Sequence, residues 1–200
     1  MARRRSSRCA RSKPLGGGVE QEVKLRFDSV DAARSAVARL GGTLARAVRL
    51  QHDVLVDTAD RALVARGCAL RVRDDGGQAV LTYKGPVVPG ALKVREELET
   101  AAGSAERLLA ILAALGYTPI FRYEKRREEH TIPGAVVAID ETPVGTYVEI
   151  EGDAGAIHAA AARLGFTPAD YVTASYRTLY VASLPAGATP GDMLFADPAP

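Results

Sequence analysis

Glu20-Gln21-Glu22-Val23-Lys24-Leu25-Arg26-Phe27 constrains this chain more than any other stretch. Its residues alternate with a period of two, the pattern of a β-strand. Glu20, Glu22, Lys24 and Arg26 share one face, and Val19, Gln21, Val23, Leu25 and Phe27 share the other. The apolar face can pack against a helix. The charged face needs a reason, because neighbouring carboxylates on one face repel each other unless cations sit among them.

The same arrangement recurs along the chain. Arg71 and Arg73 share a face, as do Thr82 and Lys84; Arg95, Glu97 and Glu99; Lys125 and Arg127; and Glu149 and Glu151. An antiparallel sheet that faces water on one side usually shows it a mixed polar face. Here the polar faces carry almost only Arg, Lys and Glu. That pattern predicts an α+β fold: a closed antiparallel β-barrel of about eight strands, with a charged tunnel inside and helices packed outside.

Six pieces in order carry a resemblance: Glu20-x-Glu22-x-Lys24, Leu70-Arg71-Val72-Arg73, Lys84-Gly85-Pro86, Arg95-x-Glu97, Lys125-x-Arg127 and Asp140 followed by Glu149-x-Glu151. Over about residues 19 to 180 the chain resembles the CYTH superfamily, the triphosphate tunnel metalloenzymes. These include class IV adenylate cyclases, thiamine triphosphatases and inorganic triphosphatases. The resemblance implies that the Glu-x-Glu-x-Lys carboxylates and the late acidic pair bind metal, and that the Lys and Arg residues hold a triphosphate.

The chemistry of the residues agrees. A triphosphate presents oxygens in every direction, and Lys and Arg on several strands can contact all of them, Arg bidentately. The candidates for substrate binding are Lys24, Arg71, Arg73, Lys84, Arg95, Lys125 and Arg127, with Lys24, Arg71, Arg73 and Lys84 also expected to be catalytic. Mg²⁺ or Mn²⁺ is the expected cofactor, since both favour oxygen ligands. Glu20, Glu22, Asp140, Glu149 and Glu151 are the candidate metal ligands. Hydrolysis of inorganic triphosphate, thiamine triphosphate or a nucleoside triphosphate is the first reading of function. Conversion of ATP to cyclic AMP and pyrophosphate is the alternative, and a non-catalytic polyphosphate- or nucleotide-binding module is a third.

The formal charge of +2 conceals an asymmetry. The first 18 residues hold six basic residues and no acid, which leaves 20 basic against 24 acidic residues in the body. An acidic body with interior cations suits a small anionic ligand rather than a nucleic-acid surface. The expected partner is therefore a small-molecule triphosphate, with no membrane and with nucleic acid reached only by the basic tail; a homodimer stays open. Cys9 and Cys68 have no ligand spacing, which fits a reducing, cytoplasmic setting. No apolar run approaches the length of a membrane span.

The expected boundaries are a disordered basic tail over 1–18, a tunnel domain over 19–182 and a disordered Ala/Gly/Pro-rich tail over 183–200. Helices are expected over 29–40, 104–115, 153–164 and 169–179, with one or two turns over 60–66. Strands are expected over 49–57, 68–74, 78–84, 92–99, 120–131, 135–141 and 146–152. Leu40-Gly41, Leu115-Gly116 and Leu164-Gly165 read as glycine C-caps. His52 and His158 have no ligand partners at metal spacing, and His130 sits beside the tunnel strand at 125–129. Ser175-Tyr176 resembles a family element near the tunnel mouth, but with Val172 and Leu179 Tyr176 reads more simply as an apolar helix face. Arg26, Arg126 and Glu129 are expected outside.

Overall fold

A computed structural model describes residues 17–196. The basic residues of the N-terminal tail and Cys9 lie outside the described residues, as do 197–200. Eight strands close into an antiparallel barrel: β1 (Gly17–Phe27), β2 (Thr43–Thr58), β3 (Ala69–Asp75), β4 (Ala79–Lys84), β5 (Lys93–Ala102), β6 (Tyr117–Ile132), β7 (Ala135–Thr142) and β8 (Gly145–Gly152). Their order around the barrel is β1-β5-β4-β3-β2-β6-β7-β8, with β8 returning to β1. Gly17 and Gly18, placed in the tail on composition, already pair with Leu98 and Glu97.

Five helices lie outside: α1 (Val30–Arg39), α2 (Ala62–Ala65), α3 (Ala105–Ala114), α4 (Ala154–Arg163) and α5 (Tyr176–Ser183). The hydroxyls of Ser29, Ser104 and Ser175 accept from backbone N–H groups of the first turns of α1, α3 and α5. Gly41, Gly116 and Gly165 adopt positive φ at the three expected C-caps, which a side chain would strain. Helices α1 and α4 cover the outer faces of β1, β7 and β8, burying Val23, Leu25, Val37, Val137, Val148, Ile150 and Ile157. Each fully buried residue of this size contributes roughly 1.5–3 kcal/mol. Helix α3 covers Val56 and Val72 with Leu112. The apolar strand faces thus turn outward under helices, and the charged faces turn inward.

Three expectations need correction. Strand β2 starts at Thr43, not at residue 49. Register shifts between Leu44 and Arg46, between Arg46 and Arg49, and at Leu55–Val56 break its period of two. The last helix is Tyr176–Ser183 rather than 169–179. Thr167 and Asp170 form a capping box that opens only a 3-10 turn over Pro168–Asp170. The chain then extends, and Val172 exchanges two backbone hydrogen bonds with Lys24 of β1. Finally, part of the tail expected to be disordered, residues 192–195, packs against β6. Met193 is 1 % exposed and bridges to Tyr123 of β6.

Both Val172 and Met193 meet a need of the barrel. Strand β5 leaves β1 at Glu22, and β7 joins β6 only from Arg126 onward. Each wall therefore has a stretch with unpaired backbone groups, and the C-terminal segment supplies the partner.

Candidate active site

The barrel encloses a cavity of about 1060 Å³. Eleven basic and nine acidic side chains line it. Eleven of the twelve residues singled out in sequence reach it: Glu20, Glu22, Lys24, Arg71, Arg73, Lys84, Arg95, Lys125, Arg127, Glu149 and Glu151. Asp140 lies on the same side of β7 but does not line the cavity, and it is wholly buried beneath the ring.

The charges sort into four interlocked groups. In the first, Lys24 Nζ lies 3.1 Å from Glu22 Oε1 and 3.2 Å from Glu149 Oε1. Glu22 also accepts from Lys93 at 2.5 Å, and in register it faces Glu151 across β1–β8. Burial would raise the Glu22 carboxyl, and Glu149 adds to that, but Lys24 above all, with Lys93 and Lys84, holds it down at about 2. Burial would likewise depress Lys24, yet Glu149 and Glu22 outweigh it and raise the ammonium above its ordinary value.

The second group centres on Asp140. Its carboxylate accepts from Lys125 at 2.9 Å, from two nitrogens of Arg127 at 2.6 Å each, and from the Tyr176 hydroxyl at 2.7 Å. Arg127 also donates to Glu149, joining this group to the first. The ammoniums of Lys24 and Lys125 sit 5.1 and 5.2 Å from the Tyr176 ring centroid. Burial, reinforced by Arg127, lowers the Lys125 ammonium to about 8 despite Asp140.

In the third group Asp53 receives Arg73 through two nitrogens, at 2.8 and 3.2 Å, with Arg71 Nε 3.4 Å away. Arg71 Nη2 donates to Thr82 Oγ1 at 3.0 Å. Arg71 Nε is buried and has no hydrogen-bond partner among the described residues. Its nearest anion is the Asp53 carboxylate, so Arg71 Nε is compensated by charge rather than by a hydrogen bond. In the fourth group Lys84 pairs with Glu97 and lies 3.5 Å from Glu20, and Arg95 lies 3.4 Å from Glu97. Burial and a hydrogen bond with Glu20 push the Glu97 carboxyl up.

Sequence reasoning missed several of these residues. Asp53 and Lys93 face the interior as counter-ions of Arg73 and Glu22, which it did find, and Asp75 as the counter-ion of Arg46 and Arg49, which it did not. Asp75 falls between the strands expected over 68–74 and 78–84, yet it ends β3 and receives Arg46 and Arg49, each at 2.6 Å. Glu129, expected outside, lines the cavity and receives Arg49 at 2.6 Å. Tyr176, expected on an apolar helix face, is a buried donor to Asp140. Arg26 and Arg126 do point outward. The histidines hold peripheral partners: His52 meets Glu124, His130 meets Glu128 and His158 meets Tyr171.

An acid-stability prediction follows from the carboxylates. Glu22, Glu149, Asp53 and Asp140 are all held below their ordinary values by adjacent cations that overcome burial. A depressed carboxylate contributes stability that is present above its unfolded value and lost as pH falls through its folded one. For Glu22 that window runs from 4.5 down to about 2. The raised Glu97 opposes this with a smaller share. The melting temperature should hold above pH 5 and drop steeply between roughly pH 4 and pH 2.5. Melts that stay level down to pH 2.5 would mean these ion pairs stabilise nothing.

The family model of the CYTH domain matches residues 19–176. The chain belongs to the CYTH family. Adenylate cyclase CyaB of Aeromonas hydrophila is 28% identical to this CYTH protein over 186 residues, covering 86% of this chain and 94% of that one. Among solved structures, the PH1819 protein of Pyrococcus horikoshii superposes with a TM-score of 0.68 at 23% identity, covering 82% of this chain and 99% of that one. The Hippeastrum protein HpAC1, whose reported dominant activity is that of a triphosphatase, superposes with a TM-score of 0.63 at 17% identity, covering 84% and 97%. These structural likenesses establish the shared tunnel fold. No helix among the described residues is long and apolar enough to cross a membrane.

Proposed function

We propose that this CYTH protein is an enzyme that binds a triphosphate in its tunnel with Mg²⁺ or Mn²⁺ and hydrolyses it. The observation that carries this reading is the convergence of Lys24, Arg71, Arg73, Lys84, Arg95, Lys125 and Arg127, from five strands, on one cavity. In hydrolysis the oxygen of water attacks the terminal phosphorus, the bond from that phosphorus to the bridging oxygen breaks, and diphosphate leaves. The basic ring offsets the charge on the transferring and leaving groups.

The near-balance of interior charges argues for a metal. With no ligand, the cations are already paired with carboxylates. A triphosphate that takes over those cations leaves Glu20, Glu22, Glu149 and Glu151 without counter-charge in a low-dielectric interior. A divalent cation restores the balance. Among the described residues no three His, Cys, Asp or Glu side chains form a ready-made cage. That suits Mg²⁺, which is typically held by one or two carboxylates together with substrate phosphates and water. Glu22, Glu149 and Glu151 are the best placed, with Glu20 beside them. Asp140 acts instead as a positioning residue, since Lys125, Arg127 and Tyr176 occupy it. When bound, the metal would polarise the phosphoryl group.

The adenylate cyclase reading stands beside hydrolysis for a specific reason. One end of the cavity is apolar, lined by Leu55, Leu63, Val64, Cys68 and Ile120, with Arg177 nearby. Inorganic triphosphate has no use for such a wall, whereas the organic part of a nucleoside or thiamine triphosphate does. In the cyclase reaction the ribose 3′-hydroxyl attacks the α-phosphorus and pyrophosphate leaves. One panel separates the readings: tripolyphosphate, thiamine triphosphate and ATP, each with Mg²⁺ or Mn²⁺, scored for phosphate, pyrophosphate and cyclic AMP. Chelation should abolish turnover, and either metal should restore it. Undiminished turnover in excess chelator would end the metal-dependent reading, and binding without turnover of any of the three would favour the binding module.

A further inference from the structure

We propose that the C-terminal strap, residues 192–195, is a working part of the tunnel, and that Met193 is a positioning residue for its phosphate-binding cations. The strap lies beyond the 19–176 match to the family model.

The strap is seated by several independent contacts. The Met193 N–H donates to the Arg122 carbonyl at 2.9 Å, and the Glu124 N–H donates to the Met193 carbonyl at 3.0 Å. On either side, the Arg122 N–H donates to the Asp192 carboxylate at 2.7 Å, and the Phe195 N–H donates to the Glu124 carboxylate at 3.1 Å. The Phe195 ring lies 4.3 Å under the Arg126 guanidinium. Together these fill the stretch of β6 that β7 does not reach, so the strap occupies a strand position in the wall.

What the strap inserts there is the Met193 side chain. It is buried in one cluster with Phe121, Tyr123, Tyr147 and Tyr176. Two of these tyrosines line the cavity. Tyr176 is the one that donates to Asp140, and Asp140 holds Lys125 and Arg127. Met193 thus belongs to the buried cluster that packs the tyrosine that fixes the carboxylate that fixes two cations. Methionine suits the place, since its flexible thioether fills gaps between aromatic rings. Shortening it leaves a cavity in the cluster that packs Tyr176, which loosens the hold on the ring and on its bond to Asp140.

The test compares Met193→Ala, Met193→Leu and Leu194→Ala, the last being a control on the same strap at a residue 47% exposed. The first readout needs no ligand: the ring NMR resonances of Tyr176, assigned by their loss in Tyr176→Phe. They should shift in Met193→Ala and stay in place in Leu194→Ala. The second is the affinity for tripolyphosphate, measured well below each variant's melting temperature. Met193→Ala should bind about tenfold more weakly and Met193→Leu within about twofold of wild type. Tyr176→Phe should weaken binding too, and combining it with Met193→Ala should add little, as expected of residues acting in series. A Met193→Ala protein that melts lower but keeps the Tyr176 resonances and the affinity would show the strap to be structural only, and full additivity of the two substitutions would equally overturn the proposal. Since the inference rests on the tunnel as a triphosphate site, wild-type protein that fails to bind tripolyphosphate would count against that function, while the Tyr176 resonances would still decide for or against the strap.

Discussion

Asp140→Asn should destabilise the protein by about 3–5 kcal/mol, the usual cost of removing one partner from a buried ion pair. Asparagine can still accept hydrogen bonds, but it carries no charge. Lys125 and Arg127 would then sit side by side in the interior with only Glu149 and more distant carboxylates to offset them. Lys125, already lowered to about 8 by burial and by Arg127, would lose its nearest counter-charge and fall further. For a domain of this size the melting temperature should drop by roughly 10 °C or more. Adding Lys125→Met should recover part of that, because it removes one of the two stranded cations. An Asp140→Asn protein that melts within about 2 °C of wild type would show that the buried cluster is already neutral.

Arg73→Ala should disable the chemistry and also cost some stability, because the buried Asp53 carboxylate loses its closest cation. Asp53 keeps Arg71 at 3.4 Å, so the buried carboxylate retains one cation. Arg71 and Arg73 point inward from one strand with two-residue spacing, about 7 Å apart at the backbone. That span matches neighbouring phosphates of a triphosphate. Loss of a transition-state donor of this kind typically costs about 10²–10³ in rate, and kcat/KM for the preferred triphosphate should fall by that much. Diphosphate binding should suffer less. Arg73→Lys should restore only part, because an ammonium lacks the planar fork. Arg39→Ala, on the outer surface of α1, is the control and should behave as wild type. If kcat/KM for Arg73→Ala stayed within about threefold of wild type, the paired arginines would not be holding the reacting phosphates.

Most of the barrel was legible because inward and outward faces of a strand alternate, and here they differ in the most visible way, charge against hydrocarbon. The cations of the ring stood out for that reason. Their counter-ions did not. Asp53 is an isolated acid on β2, a strand whose bulges disturb the alternation, and its partners come from β3. Lys93 lies inside the strand expected over 92–99, but only the pairing with Glu22 of β1 reveals its role. Which acid meets which base depends on the register of strands distant in sequence, and local pattern carries no record of that. Helix α5 was misplaced for a different reason. Thr167 and Asp170 cap only a short 3-10 turn, after which the backbone of Val172 pairs with Lys24 instead of continuing a helix. Met193 was hidden altogether. The composition around it reads as disorder, and one methionine gives no warning that a gap in a distant strand awaits it.

The ring order of the strands bears on how this protein must fold. The first strand in the chain finds its neighbours in β5 and β8, so the barrel closes only when its two chain-distant ends meet. Closure of such long loops is entropically slow, and non-local sheets are among the slowest folders for their size. Here the seam is also where Lys24 and Glu22 first encounter Glu149 and Glu151. A nascent or truncated chain that ends before β8 therefore loses more than a strand. It leaves β1 with an open edge, and with a buried-type lysine and carboxylates whose opposing wall does not yet exist. Such an intermediate invites pairing with other chains. The seam that completes the tunnel is thus also the step at which this chain is most exposed to misassembly.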